Sequence, residues 1–310
     1  MPNVLVVGSL NTDFTVALPR LPGPGETVLG GTLAVDAGGK GANQAAAARR
    51  LGAEVRMIGC VGADDGGHRL RQALADLGVG VDGVGSAPGV STGAALILVD
   101  ARGQNQIGVA PGANHALTVE MAAGREADVR WAGAVLCQLE TPLPVVRWAL
   151  STARRHGVIT VLNPAPAADL PDDLLALADY LTPNAGEATA LTGMAVSDPD
   201  TAREAATRLV ARGARHVIVT LGAQGALACD GAEALYFPAF PVTAVDTTGA
   251  GDAFNGGLAT GLAAGGSVEQ AVPLASAAAA LACTRPGAQA ALPDRQDVER
   301  FLRALRGRAD

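Results

Sequence analysis

Short apolar runs alternate with helix-like segments along most of this chain, and this alternation limits its fold more than any other feature. Residues 4–7 read Val-Leu-Val-Val, and residues 134–139, 158–162 and 216–220 are similarly apolar. Such continuous runs are typical of parallel strands that helices cover on both faces. Since segments with a helical pattern separate the runs, the chain is predicted to form one doubly wound α/β domain.

Two excursions break the alternation, at about residues 12–35 and 91–110. Each contains short β-like runs separated by prolines or by a tight turn. The predicted strands span residues 14–18, 26–35, 91–100 and 104–109. We expect these four strands to form a small separate sheet, a lid on the α/β core. No long linker interrupts the sequence, so residues 1–310 are predicted to form a single domain with an inserted lid.

Composition narrows the class of ligand and the expected location. A formal net charge of −7 gives no electrostatic footprint for nucleic acid, so we expect a small molecule held by local groups. No run of eighteen apolar residues is present to span a membrane, and the N-terminus has no signal-peptide pattern. The four cysteines are far apart and form no Cys-x-x-Cys pair, which favours a reducing cytoplasm over a disulfide scaffold or zinc site.

Residues 246–252 read Asp-Thr-Thr-Gly-Ala-Gly-Asp and precede a helix predicted at residues 253–264. Gly249 and Gly251 allow the backbone to approach a ligand closely, and the start of a helix favours an anion. Asp252 stands beside the anion site that this turn would form. A carboxylate at the rim of an anion hole fits phosphoryl transfer to a hydroxyl. The structural alternative is an N-capping aspartate after a glycine-rich turn.

A second glycine-rich segment, residues 36–43, precedes a helix predicted at residues 44–51. Lys40 and Asn43 supply hydrogen-bond donors there, and the neighbouring glycines permit close approach of a ligand. The segment is not a P-loop, because Gly39-Lys40 is followed by glycine where a P-loop has serine or threonine. Ligand contact is favoured here over a role in helix packing alone.

Several polar residues stand at predicted ends of strands, the edge at which open α/β sheets bind ligands. Asn11 and Asp13 follow the first strand, Glu140 follows the strand at 134–139, and residues 221–225 form a turn after another strand. Asn184 and Glu187 have the spacing of a capping box at a helix start. That spacing is compatible with a purely structural cap and with a place near a metal–nucleotide.

Residues 78–83 match Gly-x-Gly-x-x-Gly, the pattern of a dinucleotide-binding loop. The match follows a predicted helix and no helix comes after it, so the strand–turn–helix context is missing. This argues against a nicotinamide-dependent dehydrogenase.

Six motifs occur in an order that resembles the ribokinase-like family of ATP-dependent carbohydrate kinases, which includes fructokinase and adenosine kinase. The resemblance covers residues 7–293. The motifs are residues 38–43 (Gly-Gly-Lys-Gly-Ala-Asn), 138–140 (Gln-Leu-Glu), 163–167 (Asn-Pro-Ala-Pro-Ala), 182–184 (Thr-Pro-Asn), 220–222 (Thr-Leu-Gly) and 246–252. The resemblance implies a Rossmann-like three-layer α/β/α core with an edge lid, ATP, Mg²⁺ and a monovalent cation. The implied reaction is phosphorylation of D-ribose at its 5-hydroxyl.

The resemblance also implies roles for individual residues. Asp252 would take the proton of the acceptor hydroxyl, and the amides of Gly249, Ala250 and Gly251 would hold the developing phosphate charge. The implied sugar-binding residues are Asn11, Asp13, Gly39, Lys40, Asn43, Glu140 and Asp252. The implied nucleotide-binding residues are Asn184, Thr220, Gly222, Gly225, Gly251 and Ser276, with Glu187 near Mg²⁺ through water. Ser276 departs from the family, in which asparagine or histidine often stands at this position.

A monovalent cation site is predicted beside the anion hole. If residues 246–252 turn their amides toward one phosphate, their carbonyls point the other way and need a cation or donors. By resemblance, the ligands would be Asp246 and Thr248, with the carbonyls of Ala282, Arg285, Gly287 and Ala291. K⁺ is expected, because a large, weakly hydrated ion suits carbonyl ligands. The alternatives are that Arg285 or an ordered water takes this place; Ala291 stands where the family often has serine.

The same motifs are compatible with other activities. A kinase for 2-deoxyribose, fructose or adenosine would share them. A non-catalytic sugar sensor is disfavoured, because binding alone does not need the base Asp252.

The lid also predicts an assembly. Its four short strands have too little area to cover both faces of their own sheet, and open strand edges invite pairing. We therefore expect a homodimer in which the lids of two chains pack together.

Overall fold

The computed structural model describes residues 1–306 as thirteen strands, eleven α-helices and three short 3-10 helices. The strands are β1 (Asn3–Val7), β2 (Asn11–Ala17), β3 (Leu33–Gly38), β4 (Glu54–Gly62), β5 (Gly80–Ala87), β6 (Gly93–Val99), β7 (Asn105–Ala110), β8 (Ala134–Cys137), β9 (Ile159–Leu162), β10 (Tyr180–Leu181), β11 (His216–Thr220), β12 (Ala226–Cys229) and β13 (Ala234–Phe237). The helices are α1 (Lys40–Arg50), α2 (Asp65–Asp76), α3 (Val119–Ala123), α4 (Glu126–Trp131), α5 (Leu143–Arg155), α6 (Asp172–Leu175), α7 (Ala185–Thr192), α8 (Pro199–Ala211), α9 (Ala250–Ala263), α10 (Val268–Ala282) and α11 (Arg295–Arg306). Residues 307–310 of the predicted single domain lie outside the described residues.

Nine strands form one large sheet in the order β13-β12-β11-β10-β9-β8-β1-β4-β5. Every neighbouring pair from β5 to β11 is parallel, and the two pairs at the far edge, β11 with β12 and β12 with β13, are antiparallel. Along β1, Leu5 and Val7 belong to the apolar core on one face, while Val4 and Val6 belong to the core on the other. The sheet is therefore covered on both faces, and the predicted doubly wound α/β core is confirmed.

Four strands form a second sheet in the order β3-β2-β6-β7, and they come from the two predicted excursions. The strand predicted at residues 26–35 is wrong in its extent, because only residues 33–38 pair with β2. Gly30 and Gly31 precede this strand, and the N–H of Gly31 donates to the carbonyl of Ala17 in a turn-like connection at 2.8 Å. Glycines weaken strand formation, which shortens the strand at its start.

The sequence pattern does not predict strand β5. It contains Gly80, Gly83 and Gly85 and pairs only with β4, at the edge of the large sheet. Glycine lowers strand propensity, so a strand with this composition forms mainly because β4 offers a parallel edge. Residues 78–83 therefore enter a strand rather than a ligand-binding turn, in agreement with the rejection of a dinucleotide loop.

Helices begin earlier than the sequence pattern suggests at the two glycine-rich turns. α1 starts at Lys40 instead of residue 44, and α9 starts at Ala250 instead of residue 253. Residues 119–131 form two short helices, α3 and α4, which are separated near Gly124. The earlier starts place Lys40, Asn43 and Asp252 on first helical turns. Among the described residues, no helix is both long enough and apolar enough to span a bilayer.

Candidate active site

The site lies at the carboxyl edge of the large sheet, where β1, β8 and β9 are neighbours. Helices α1 and α9 pack together on one face of this sheet and meet at their first turns. Asn43 on α1 and Asp252 on α9 are joined there by a hydrogen bond of 2.9 Å, although they are far apart in the sequence. The fold thus brings the two glycine-rich motifs into direct contact.

Asp252 is the third residue of α9 and is only 8% exposed. Its Oδ2 accepts from Nδ2 of Asn43 at 2.9 Å, and its Oδ1 accepts from Nε2 of Gln44 at 3.0 Å. Burial raises the pKa of Asp252 above its ordinary value, and the charge of Lys40 and the two amide donors oppose this rise only in part. A buried carboxylate with a raised pKa is a stronger base than a solvated one.

The turn that opens α9 presents backbone amides next to Asp252. Its N-cap, Gly249, has φ of +75°, a conformation that glycine adopts without steric cost. The N–H of Ala250 donates to the carbonyl of Thr247 at 3.2 Å, whereas in residues 1–306 the N–H groups of Gly249 and Gly251 have no backbone partner. The space around Gly251 is open, since a β-carbon there would meet no atom within 4 Å. This geometry suits an anion bound at a helix start.

The turn before α1 fits closely against the end of β1. Gly39 is the N-cap of α1, with φ of +90°. A β-carbon at this position would lie 2.7 Å from the backbone nitrogen of Asn11, so a larger residue would push the two segments apart. Glycine at 39 therefore fixes the distance between α1 and the first residue of β2.

Glu140 follows β8 and is held by one of its two oxygens. Oε2 accepts from the hydroxyl of Ser9 and from the backbone N–H of Lys40, the latter at 3.1 Å. The backbone carbonyl of Ser9 in turn accepts from the N–H of Ala42 at 2.9 Å. Oε1 of Glu140 has no hydrogen-bond partner in the described part of the chain, so it is available to a ligand.

Asp13 lies on β2 of the lid sheet, directly opposite Asp36 on β3. Burial, together with the carboxylates of Glu140, Asp36 and Asp252, raises the pKa of Asp13 to about 7. A β-carbon at Gly38 would collide with its carboxylate oxygens, so the glycine makes room for Asp13. Asp13 thus joins the lid to the core site.

Asn11, the first residue of β2, is buried and has a defined amide orientation. Its Oδ1 accepts from Nδ2 of Asn114 at 2.7 Å, while Asn114 also bonds both the N–H and the carbonyl of Leu10. These backbone contacts fix the amide of Asn114 and, through it, leave Nδ2 of Asn11 free to donate. The sequence analysis did not identify Asn114, which lies in the 3-10 helix Gly112–Ala116.

The Lys40 ammonium lies among the carboxylates of the site. Burial lowers the pKa of Lys40, but the charges of Asp252, Glu140 and Glu187 outweigh this effect, and the net pKa is raised. Lys40 therefore carries a positive charge between the part of the site built on α1 and the part built on α7.

Four of the predicted nucleotide-binding residues lie in a more exposed region after β10 and at the end of β11: Asn184, Thr220, Gly222 and Gly225. Asn184 and Glu187 make the capping box of α7, with each side chain accepting from the backbone N–H of the other at 2.9 Å. Residues Asn184 and Thr220 face each other in a parallel bridge. Gly222 has open space around it, whereas Gly225 is pressed against the carbonyl of Phe237.

One of the predicted nucleotide-binding residues, Ser276, makes no direct contact with the others by hydrogen bond in the described part of the chain. Ser276 lies half-buried within α10 and, among the described residues, has no hydrogen bond to Asn184 or Thr220. Burial raises the pKa of Glu187, with the N–H of Asn184 and the charge of Lys40 opposing the rise.

The predicted cation site lies where residues 246–252 meet residues 284–291. Oδ1 of Asp246 accepts from the N–H of Thr248 at 2.9 Å, and Oδ2 accepts from the N–H of Gly287 at 2.8 Å. These bonds outweigh desolvation and lower the pKa of Asp246. A side chain at Gly249 would contact Ala288, so the two loops touch at a second point.

Arg285 does not occupy this junction through its side chain. Its guanidinium lies 3.7 Å from the carboxylate of Asp297 on α11. Ala282 ends α10 and Ala291 is fully buried in the 3-10 helix Gln289–Ala291, so both lie at the margins of the second loop. An anionic carboxylate with backbone carbonyls nearby is a donor set that suits a monovalent cation.

A chain of buried amides surrounds Asp252, and the sequence reasoning assigned no role to most of its members. Besides Asp252, Gln44 Nε2 donates to Asn163 Oδ1 at 3.0 Å, and Gln44 Oε1 accepts from Gln138 Nε2 at 2.6 Å. Gln138 and Asn163 stand within two of the six motifs, so position in a motif was the one available signal. The remaining members are Thr182, which directly follows β10, and Asn255 on α9.

Comparisons with known proteins agree with this geometry. A family model described as pfkB family carbohydrate kinase matches residues 1–295. A ribokinase of Haemophilus influenzae is 41% identical over 297 residues, which are 96% of this chain and 97% of the relative. A deoxyribokinase of Salmonella typhi is 36% identical over 301 residues, 97% of this chain and 98% of the relative. The solved structure of Arabidopsis thaliana ribokinase complexed with ribose and ATP has a TM-score of 0.91 and 35% identity, with 97% of this chain and 98% of that chain covered.

Proposed function

The chain belongs to the pfkB family of carbohydrate kinases, and from this premise we propose that it transfers the γ-phosphoryl group of ATP to the 5-hydroxyl of D-ribose. The observation that carries the proposal is the position of Asp252 in the first turn of α9, where Asn43 of α1 also contacts it. This position sets a carboxylate base beside the amides of an anion site. The similarity to ribokinases, one of them complexed with ribose and ATP, supports the choice of sugar and of phosphoryl donor.

The sugar would bind between the first turn of α1, the lid strand β2 and Glu140. A furanose offers uncharged hydroxyls, each able to donate and to accept. Asp13 and Glu140 supply acceptors, and the amide of Asn11 supplies a donor because Asn114 holds its oxygen. Such a set rejects sugars that lack a matching hydroxyl, because buried polar groups would then stay unpaired.

Asp252 would orient the 5-hydroxyl and accept its proton as the oxygen attacks the γ-phosphorus. The bond from the γ-phosphorus to the bridging oxygen breaks, and ADP leaves with that oxygen. The amides of the α9 turn and the ammonium of Lys40 would stabilise the charge on the transferred group. Because a loose transition state depends on orientation and charge stabilisation, a carboxylate suffices as base.

ATP would lie over β10 and β11, against Asn184, Thr220, Gly222 and Gly225, with its γ-phosphate at Gly251. The open space around Gly222 supports this placement. A contact of the adenine ring of ATP with Ser276 remains a prediction. Glu187 would reach Mg²⁺ through water, as the family resemblance implies. Mg²⁺, when bound, neutralises phosphate charge.

We also propose K⁺ at the junction of residues 246–252 and 284–291. Asp246 ties the two loops together, and the Arg285 guanidinium is paired with Asp297 rather than filling the junction. The ligands would be Asp246 and Thr248, with carbonyls of Ala282, Arg285, Gly287 and Ala291. With K⁺ bound, these ligands would hold the carbonyl groups of residues 246–252 in place while the amides of the same turn face the phosphate.

A homodimer through the lids is the proposed assembly. Leu96 on β6 is 62% exposed, and it shares one face of the lid sheet with the half-exposed Leu33 and Val35 on β3. On the other face, Ile107 and Val109 of β7 are also more than half exposed. Exposed apolar faces of this kind favour contact with a second copy. The four free cysteines agree with the proposed cytoplasmic location.

The function is tested by ADP release with D-ribose, 2-deoxy-D-ribose, D-fructose and adenosine as acceptors. We expect the highest kcat/KM with D-ribose. 2-Deoxyribose is the second candidate, because a deoxyribokinase is among the similar proteins. A higher kcat/KM for 2-deoxyribose would replace the proposed sugar. Sugar binding without ADP release would favour a sensor.

A further inference from the structure

Gln44 is buried next to Asp252, and the proposed phosphoryl transfer assigns no role to it. It is the fifth residue of α1, its side chain is fully buried, and the residues that follow it in the helix are alanines. A polar side chain in such a position is costly unless all its groups are bonded. Its amide makes three hydrogen bonds, to Asp252, Asn163 and Gln138.

The orientation of this amide follows from the charge of Asp252. An ionised carboxylate only accepts hydrogen bonds, so the NH₂ group of Gln44 must face Oδ1. Its second proton goes to Asn163 Oδ1, and its own oxygen accepts from Gln138 Nε2. The opposite orientation would set the Gln44 oxygen against the carboxylate.

The unpaired atom of this chain lies at the end remote from Asp252. Oε1 of Gln138 is buried and has no partner in the part of the chain that the structure describes. The cost of an unsatisfied acceptor is thus borne away from the base, while both protons of Gln44 remain bonded.

The same amide chain returns to the turn that holds the anion. Asn163 Nδ2 donates to the carbonyl of Thr182 at 3.1 Å, and the Thr182 hydroxyl donates to Asn255 Oδ1 at 2.6 Å. Asn255 Nδ2 then donates to the carbonyl of Gly251 at 2.9 Å. A closed circuit of hydrogen bonds therefore runs from the carboxylate of Asp252 to the peptide just before it.

We propose that Gln44 is the positioning residue of the base: its NH₂ group fixes the rotamer of Asp252 relative to the anion turn and stabilises the ionised form. This proposal rests on the proposed role of Asp252. Asn43, which holds the other oxygen, also bonds Gln289 and lies at the ligand surface. Gln44 is behind that surface and acts only through Asp252.

The first test is Gln44→Met, which keeps the length of the side chain and removes its donor. We expect kcat to fall by about 10- to 100-fold, the range for a lost hydrogen bond to a charged group. The KM values for sugar and ATP should change little, because Gln44 touches neither. The matched control is Thr260→Val, since Thr260 is also buried, on α9, and its hydroxyl bonds only the carbonyl of Gly256 in its own helix.

A second readout is the pKa of Asp252, measured by NMR on protein with carboxyl-labelled aspartate. Losing a donor to the charged form raises this pKa, so the acid limb of the kcat–pH profile should move to higher pH in Gln44→Met and stay in place in Thr260→Val. The other charged groups that face Asp252 are Lys40, Glu140, Asp13 and Glu187, and all are unchanged in both variants.

Two further variants keep the proposal open to refutation. In the Asp252→Asn background, Gln44→Met should cause no additional loss, because its effect passes through the carboxylate; additive losses would overturn the proposal. Gln44→Glu serves if the methionine variant does not fold. The carboxyl group that this substitution introduces donates as glutamine does only while it is protonated. The activity of Gln44→Glu relative to wild type should therefore be highest at low pH and fall as the pH rises, and a constant ratio would count against the proposal.

The outcomes separate this inference from the proposed function. If Asp252→Asn turns over as fast as wild type, the role of Asp252 fails and Gln44 has nothing to position. If Asp252→Asn loses most of its turnover while Gln44→Met matches wild type in kcat and in the pKa of Asp252, only the role of Gln44 is overturned.

Discussion

The two halves of the candidate site are built in different ways. The sugar half, around Asp252, Asn43 and Glu140, is lined by side chains that are buried and bonded to one another. The nucleotide half, around Thr220 and Gly222, is more exposed and consists largely of backbone at the ends of β10 and β11. Specificity for hydroxyl positions needs fixed polar groups, whereas phosphates and a flat base can be held by amides and open surfaces.

This difference predicts where substitutions are costly. Removing a buried polar group leaves its hydrogen-bond partner unsatisfied. This costs about 1–3 kcal/mol of stability, or more if the partner is charged. An exposed group that is lost is replaced by water. Substitutions in the buried sugar half should therefore reduce activity more than substitutions in the exposed nucleotide half, and replacement of Asp252 should reduce it most.

Replacing the base should have the largest effect. Asp252→Asn keeps the shape and removes the proton acceptor, so we expect kcat to fall by on the order of 10²-fold or more. The affinity for ATP, measured by calorimetry, should be mostly kept because the nucleotide half is untouched. Turnover close to wild type would remove Asp252 from the mechanism.

Asp13 should give sugar binding a pH dependence near neutral pH. Its raised pKa of about 7 means that it is protonated below that pH and ionised above it. The protonated form loses an acceptor for a sugar hydroxyl, so kcat/KM for ribose should decrease as the pH falls through about 7, while the KM for ATP changes little. In Asp13→Asn this step should disappear and the KM for ribose should rise by about 10- to 100-fold. A step that persists in the variant belongs to another group.

The cation loop lies beside the anion turn and should affect turnover several-fold. At fixed Mg²⁺ and ionic strength, KCl should support faster turnover than tetramethylammonium chloride, because only K⁺ can satisfy the carbonyl side of the loop. Asp246→Asn should reduce this difference. Equal rates in the two salts would mean that the loop is held without a cation.

The smallest effect is expected in the nucleotide half. Asn184→Ala should raise the KM for ATP by about 2- to 10-fold, the range for one neutral hydrogen bond. The same variant loses the cap of α7, which costs about 1 kcal/mol of stability. Asn184→Asp keeps a capping oxygen and serves as the control for stability. A larger rise in KM than that caused by Asp13→Asn for ribose would reverse the contrast between the halves.

The sequence predicted the structure correctly where a local pattern of residues determines it. Continuous apolar runs predicted the parallel sheet, and glycine-rich turns predicted that a helix follows each of them, although both helices begin earlier than predicted. It was not informative where register or tertiary contact decides the outcome. The pairing of Asp13 with Asp36, which helps to raise the pKa of Asp13, depends on the register of β2 and β3. Gln44 stands in a run of alanines, and nothing local distinguishes a buried amide that bonds a base from one that faces solvent.

The position of the phosphate in the product is the most direct test of the proposed reaction. D-Ribose labelled with carbon-13 is incubated with ATP and Mg²⁺, and the product is examined by carbon and phosphorus NMR. We expect phosphorus coupling at C5, ADP formed in equal amount, and a rate of formation of both products that is lower by on the order of 10²-fold or more with Asp252→Asn. Phosphate on another carbon, or ATP hydrolysis that leaves the sugar unmodified, would contradict the proposed reaction.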